Sequence, residues 1–235
     1  INLDSRAEFI EGDILNNKNL ENVFNENFEA VFHFAALKAA GESMLKPGKY
    51  ATTNITGTIN VLNHMLENSI SNFIFSSTAA VYGMPEYLPV DENHPIKPIN
   101  FYGYTKLEIE NLLHWYSSLK GIRFGALRYF NAAGYDINGR IKGIEKNPAN
   151  LLPIVMETAI GKRESMDIYG DDYNTPDGTG IRDYIHVTDL ATAHVLALNY
   201  IVENKENLTL NLTTGNGYSV LEVIENTQQI IGKNI

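Results

Sequence analysis

"NFIFSS", residues 72–77, is a continuous apolar run that closes on two serines. A run without polar alternation marks a strand covered on both faces, as parallel sheets require. Working outward, "EAVFHFAA" (29–36) upstream and "IRFGALRYFN" (122–131) downstream have the same character. Between the first two runs, Ile55, Ile59, Leu62 and Leu66 recur at helical spacing. Between the second and third, Lys106, Ile109, Leu113 and Tyr116 follow one face of a helix beginning near Tyr102. Strands alternating with helices in this way imply right-handed crossovers and a parallel sheet. "AEFIEGDI" (7–14) reads as one more short strand ending in a turn. From about Asn150 the elements shorten to helix, strand, a Gly/Asp-rich loop, helix, strand and helix. The last helix opens on a capping box, Ser219 with Glu222. The expectation is an α/β fold: a doubly wound parallel sheet over residues 1–148, and a smaller mixed α/β lobe over 149–235.

Composition narrows the functions open to such a fold. The 235 residues carry a net charge of −10, which argues against a nucleic-acid partner. An anionic ligand must then be met by a few placed cations and backbone amides. There is no cysteine, which excludes disulfides, thiolate metal sites and a thiol nucleophile and suits a reducing compartment. No apolar run reaches membrane-spanning length, and no basic-then-apolar leader is present. No histidine spacing matches a metal site, and His33 and His186 sit in strand-like runs as structural residues. The chain opens on Ile1 and stops at Ile235 soon after a helix, so it reads as an internal piece of a longer protein.

In a doubly wound sheet, ligands sit beyond the carboxyl ends of the strands. Residues 35–43, 76–84 and 129–136 occupy those positions. A dinucleotide site is usually announced by a glycine-rich turn between the first strand and helix. None opens this chain, and "GNGYSV" (215–220) has Val220 where a third glycine belongs, so it reads as a turn. "FYGYTKLE" (101–108) holds more chemistry. Residues four apart share a helix face about 6 Å along the axis, so Tyr102 lies beside Lys106 and Tyr104 does not. A neighbouring ammonium lowers a phenol pKa that starts near ~10, making Tyr102 a usable base. Gly103, unfavourable within a helix, marks a first turn or a close approach. Alone, Tyr-x-x-x-Lys is an ordinary amphipathic pair. Ser76, Ser77 and Thr78 change its meaning, because they place hydroxyls where a parallel strand ends.

"FSSTAAVYG" with "YGYTK" resembles the extended short-chain dehydrogenase/reductase family. "HFAALKAAGES" (33–43), "RYFNAAG" (128–134) and "DGTGIRDYIHVTDLA" (177–191) resemble its UDP-glucose 4-epimerase branch, over nearly the whole chain and in the same order. The resemblance implies a Rossmann-type NAD domain with a nucleotide-sugar lobe, and a piece lacking the family's first strand, glycine loop and C-terminal part. It implies Tyr102 as catalytic base and acid, Lys106 as its pKa modulator and a ribose ligand, and Thr78 as the hydroxyl partner. Asp13 and Ile14 would meet the adenine end of NAD. Phe34, Ala35 and Ala36 would line the cofactor, Lys38 would reach its phosphate or ribose, Asn54 and Ser76 would lie close, and Tyr129 would pack toward the nicotinamide. Thr78, Asn131, Asn150, Leu151, Tyr169 and Arg182 would hold a UDP-sugar, with Arg182 on the diphosphate. No metal is implied.

The implied reaction interconverts UDP-glucose and UDP-galactose through a 4-keto sugar in the cytoplasm. Family members pair as homodimers through two helices, and Leu112 and Leu113 are apolar positions compatible with that. Two departures stand out: Thr78 replaces the commoner serine, and Ala149 in "PAN" replaces an asparagine. Three other readings stay open: an epimerase of another UDP-sugar such as UDP-N-acetylglucosamine or UDP-glucuronate, a dehydratase, and a non-catalytic binding fragment. "TAAVYG" disfavours dehydration, since Ala79 and Ala80 cannot transfer protons where related dehydratases carry an acid pair.

Overall fold

Side chains alternate across a strand, so "FIF" sends Phe73 and Phe75 to one face and Ile74 to the other. The computed structural model, which describes residues 4–141 and 148–235, shows both faces covered. Its helices and strands in chain order are α1 (Asn17–Phe24), β1 (Ala30–His33), α2 (Ala40–Leu45), α3 (Pro47–Tyr50), α4 (Gly57–Glu67), β2 (Asn72–Thr78), α5 (Phe101–Lys120), β3 (Arg123–Tyr129), β4 (Asn131–Ala133), α6 (Leu151–Ala159), β5 (Ile181–His186), α7 (Val187–Asn204), β6 (Leu208–Leu212), β7 (Gly217–Ser219) and α8 (Val220–Ile231). A π-helical stretch, Ala51–Thr56, joins α3 to α4. The chain divides into two compact units, one of residues 4–129 with 189–212, the other of 130–141, 148–188 and 213–235.

The first unit is built on a parallel sheet in the order β1-β2-β3-β6. On one face Phe73, Phe75, Phe124 and Ala126 meet Leu20 and Phe24 of α1, Val61, Leu62 and Met65 of α4, and Ile109 and Leu113 of α5. On the other face Ile74 and Leu127 meet Ala197 and Ile201 of α7. Helices on both faces make the sheet doubly wound, the Rossmann-type architecture expected. In the second unit β4 runs parallel to β5, and β7 pairs with β5 antiparallel. Its core joins Val155 of α6 to Val223 and Ile224 of α8. The capping box forms as predicted: Ser219 Oγ accepts from Glu222 N, and the Glu222 carboxylate accepts from Ser219 N.

Two expectations need correction. "AEFIEGDI" forms no strand; residues 7–13 are irregular and exposed, leading into a turn at Ile14 and Leu15. A strand needs a neighbouring strand for its backbone groups, and alternation in a short segment cannot supply one. β1 is shorter than "EAVFHFAA", and it is not covered on both sides, since Phe32 and Phe34 are exposed. It is an edge strand among the described residues, pairing only with β2. No helix among the described residues is long and apolar enough to cross a membrane.

Candidate active site

Helix α5 begins where its free N–H groups find partners. Asn100 Oδ1 accepts from Gly103 N at 2.8 Å, and Ser43 Oγ accepts from Tyr102 N at 3.0 Å. Ser43 itself donates to the Ala40 carbonyl, so α2 is pinned to the first turn of α5. A Cβ on Gly103 would come within 2.5 Å of the Ala80 carbonyl oxygen. That is the close approach the glycine signalled, and it brings the helix start against the turn after β2. Thr78 ends that strand, and its Oγ1 accepts from Ala80 N at 3.2 Å. Tyr102, Thr78 and Lys106 are thereby assembled at the carboxyl end of the sheet. Tyr104 is exposed and packs on Phe101.

The electrostatics differ from the expected ones. Burial pushes the Tyr102 phenol above its ordinary pKa, while a hydrogen bond with Thr78 pulls it back down. Lys106 is only 2% exposed. Its Nζ donates to the Ser76 carbonyl at 2.7 Å and lies 4.7 Å from the centre of the Phe75 ring. Burial lowers its own pKa from 10.5 to about 7. The lysine therefore does not bring the phenol below its ordinary value in this geometry: burial outweighs the Thr78 hydrogen bond, and the ammonium itself is desolvated and turned to a backbone carbonyl.

The other residues expected at the cofactor fall in the same unit. Ile14 packs on α4, where a Cβ on Gly57 would lie 2.5 Å from Ile14 Cδ1, and the Ile14 carbonyl accepts from Asn60. Asp13 forms the turn beside it, its carboxylate accepting from Leu15 N. Ile14, Phe34 and Ala35 line one apolar depression of about 410 Å³. Ala36 is half-buried and Lys38 exposed. Asn54 is buried and fully committed: its amide accepts from Leu37 N and donates to Leu37 O and to Thr105 Oγ1. It thus holds the loop after β1 to helix α5. Ser76 Oγ donates to the His33 carbonyl. Tyr129 lies opposite Thr78 in the sheet register, and burial pushes its phenol up.

The sequence reading passed over His194. Its Nδ1 faces the Leu190 carbonyl, which can only accept, so Nδ1 carries the proton and Nε2 accepts from the Tyr129 hydroxyl. The imidazole also lies against Phe34, with ring centres 5.0 Å apart. His33 is structural, as read. Thr58 Oγ1 donates to the Asn54 carbonyl, so His33 Nε2 donates to Thr58. Burial, aided by Lys106, lowers His33 to about 4 and keeps it neutral.

These residues suit a nicotinamide dinucleotide. A buried ammonium with three donors gives one to Ser76 among the described residues and can offer others to ribose hydroxyls. Phe34, 59% exposed at the end of β1, offers an apolar wall for a flat ring.

The expected sugar-nucleotide residues other than Thr78 belong to the second unit. Asn131 on β4 donates to the Asp183 carbonyl of β5 at 2.9 Å, so its amide nitrogen is engaged in holding the two strands. Arg182 on β5 is exposed, one N–H returning to the Ile181 carbonyl. Asn150 is the N-cap residue of α6 without a side-chain capping bond, and Leu151 packs on the core of that unit. Tyr169 is exposed on an irregular segment.

A strand-end hydroxyl, a tyrosine, and a lysine one helical turn on, set at the mouth of a doubly wound sheet, define a dinucleotide-dependent proton- and hydride-transfer fold. The chain belongs to the NAD dependent epimerase/dehydratase family, whose model matches residues 1–213. It is 45% identical over 232 residues to a UDP-glucose 4-epimerase of Halalkalibacterium halodurans, covering 98% of this chain and 70% of that protein. The UDP-glucose 4-epimerase of Brucella ovis, solved in complex with NAD, superposes with a TM-score of 0.91 at 45% identity over 94% of this chain and 69% of that one. The Bifidobacterium longum enzyme, solved with NAD⁺ and UDP, gives 0.90 at 42% identity over 96% and 68%.

Proposed function

We infer that this chain carries the NAD-dependent interconversion of UDP-glucose and UDP-galactose, an isomerase activity. The observation that carries it is the half-buried Tyr102 phenol, hydrogen-bonded with Thr78 and followed one turn later by the buried Lys106. Tyr102 takes the proton from the sugar 4-hydroxyl and returns it after the 4-keto sugar has presented its other face. Thr78 shares a hydrogen bond with that phenol and is the hydroxyl placed to meet the same sugar oxygen. Lys106 orients the site through the Ser76 carbonyl and holds ribose hydroxyls. NAD, when bound, accepts the hydride from C4 and gives it back. Asn54 keeps the loop carrying Lys38 against α5, and Phe34, Ala35 and Ile14 form the apolar side of the cofactor site, with Ala36 next in the chain.

For the nucleotide sugar we assign Asn131, Asn150, Leu151, Tyr169 and Arg182, supported by the exposed planar fork of Arg182, which suits a diphosphate. A homodimer is supported by Leu45, Trp115 and Leu119, large apolar side chains left exposed on α2 and α5. Leu113 does not contribute to it, because it lies wholly in the core. A cysteine-free chain acting on a nucleotide sugar suits the cytoplasm.

The test is a pair of substitutions assayed for turnover of UDP-galactose. Tyr102→Phe should abolish it, whereas the exposed Tyr104→Phe should keep most of it. Equal losses would remove the assignment.

A further inference from the structure

Beneath the strand ends lies a buried charge pair that the reaction above does not use. Glu110 and Arg128 are 3% and 4% exposed. Arg128 Nε donates to Glu110 Oε1 at 3.0 Å and a terminal nitrogen donates to Oε2 at 2.6 Å, a two-pronged contact. The other terminal nitrogen donates to the Tyr82 hydroxyl at 2.8 Å, and the guanidinium lies over the Tyr82 ring at 5.0 Å. Tyr82 in turn donates to Asn211 of β6 at 2.7 Å. Ser77 Oγ donates to Glu110 Oε1.

Each attachment adjoins a residue of the site. Ser77 precedes Thr78 and Arg128 precedes Tyr129, and the two pairs face each other in the register of β2 and β3. Glu110 stands one turn beyond Lys106 and two beyond Tyr102 on the same helix face. Tyr82 follows the turn Ala79–Val81, whose Ala80 carbonyl touches Gly103. A buried ion pair adds little net stability over well-packed apolar groups of the same volume. What it adds is direction, because a guanidinium fork fixes angles that apolar contacts leave free to slide.

We propose that Glu110 and Arg128, with Ser77 and Tyr82, form a positioning clamp that locks the ends of β2 and β3 to helix α5, and so sets Thr78 and Tyr129 against Tyr102 and Lys106. The proposal rests on the epimerase reading for its kinetic effect, and the wild-type protein assayed alongside separates the two: no wild-type turnover removes that reading and leaves the clamp to be judged by hydrogen exchange.

The experiment is the double variant Glu110→Leu/Arg128→Met, which removes both charges and leaves neither partner alone. It should unfold within a few degrees of wild type, yet kcat for UDP-galactose should fall by about 10- to 100-fold, with KM changed less than about threefold. The ascending limb of its pH profile should move upward, because a displaced Thr78 no longer lowers the Tyr102 phenol. Hydrogen exchange should rise in 76–82 and 100–108 and not in α8. A folded double variant with wild-type kcat, pH profile and exchange overturns the clamp. If the double variant does not fold, Ser77→Ala removes one hydrogen bond and Tyr82→Phe removes two, and both keep the ion pair. They should lower kcat several-fold at nearly unchanged melting temperature, and unchanged kcat and exchange in both overturns it equally.

Discussion

Replacing Lys106 by methionine separates what the ammonium costs the fold from what it does for the reaction. The fall in its pKa from 10.5 to about 7 corresponds to about 5 kcal/mol of preference for the neutral form, at ~1.4 kcal/mol per pH unit. Methionine keeps an unbranched stem against Phe75 and removes the charge. It also strands the Ser76 carbonyl, and a buried acceptor without a partner costs about 1–3 kcal/mol. The cofactor-free variant should therefore be more stable than wild type at pH 7 by about 2–3 kcal/mol, or roughly 4–12 °C in Tm for a chain of this size. The sign of the pH dependence follows from the depressed pKa of a base. The penalty is complete below pH 7, and it disappears as pH rises toward 10.5, where the unfolded chain also loses its proton. The gap should be widest near pH 6 and close toward pH 10. Calorimetry of NAD-stripped wild type and variant across that range reads it directly, with turnover of UDP-galactose falling about 100-fold or more in the same variant. A variant less stable than wild type at pH 6, or a gap indifferent to pH, refutes the reasoning.

Other expected outcomes rest on separate features. Gly103→Ala forces a methyl into the Ala80 carbonyl; overpacking of this kind costs about 1–3 kcal/mol, and the displaced Tyr102 should lose at least about tenfold in kcat. A variant with wild-type kcat and Tm contradicts the close approach. His33, held near 4 against an ordinary 6.5, contributes stability that is fully present above pH 6.5 and lost progressively as pH falls from 6.5 to 4, up to about 3 kcal/mol. Urea unfolding at pH 7 and pH 5 should show that loss in wild type and a flatter response in His33→Leu. If the proposed dimer forms through α2 and α5, wild type should sediment as a dimer and Trp115→Glu as a monomer; a wild-type monomer refutes the dimer, and a dimer that survives the substitution places the contact elsewhere.

Local signals made the first sheet and its main helix readable. The apolar run at 72–77 and the four-residue spacing from Tyr102 through Lys106 each carry their own evidence, and Ser219 with Glu222 named a helix start three residues apart. The strand expected at 7–14 failed because pairing depends on a distant neighbour that alternation does not reveal. In the candidate site, the pairing of Tyr102 with Lys106 and the hydroxyls at the strand end were legible from spacing, whereas the choice of Thr78 among those hydroxyls came from the family resemblance. Their electrostatics were not, because the direction of the Lys106 ammonium is set by the Ser76 carbonyl, 30 positions away in sequence. Glu110 and Arg128 were overlooked for a related reason: an acid within a helix reads as a solvent-facing residue until a partner from another strand is seen beside it. The roles of Asn54 and His194 depend likewise on acceptors and donors far along the chain or on the opposite side of the sheet.

The route of the chain through the first unit limits how it can be dissected. Strand β6 and most of α7 come from residues 189–212, yet they complete the sheet begun by residues 4–129. A fragment ending at Tyr129 would retain Tyr102, Thr78 and Lys106 but leave Ile74 and Leu127 bare on the face that Ala197 and Ile201 cover. It would also lose His194, the acceptor for Tyr129. An autonomous minimal version of this half therefore calls for a spliced polypeptide, in which a short artificial linker bridges residues 129 and 189, because a simple deletion series from the carboxyl end removes 189–212 before 130–188 and never leaves this unit whole.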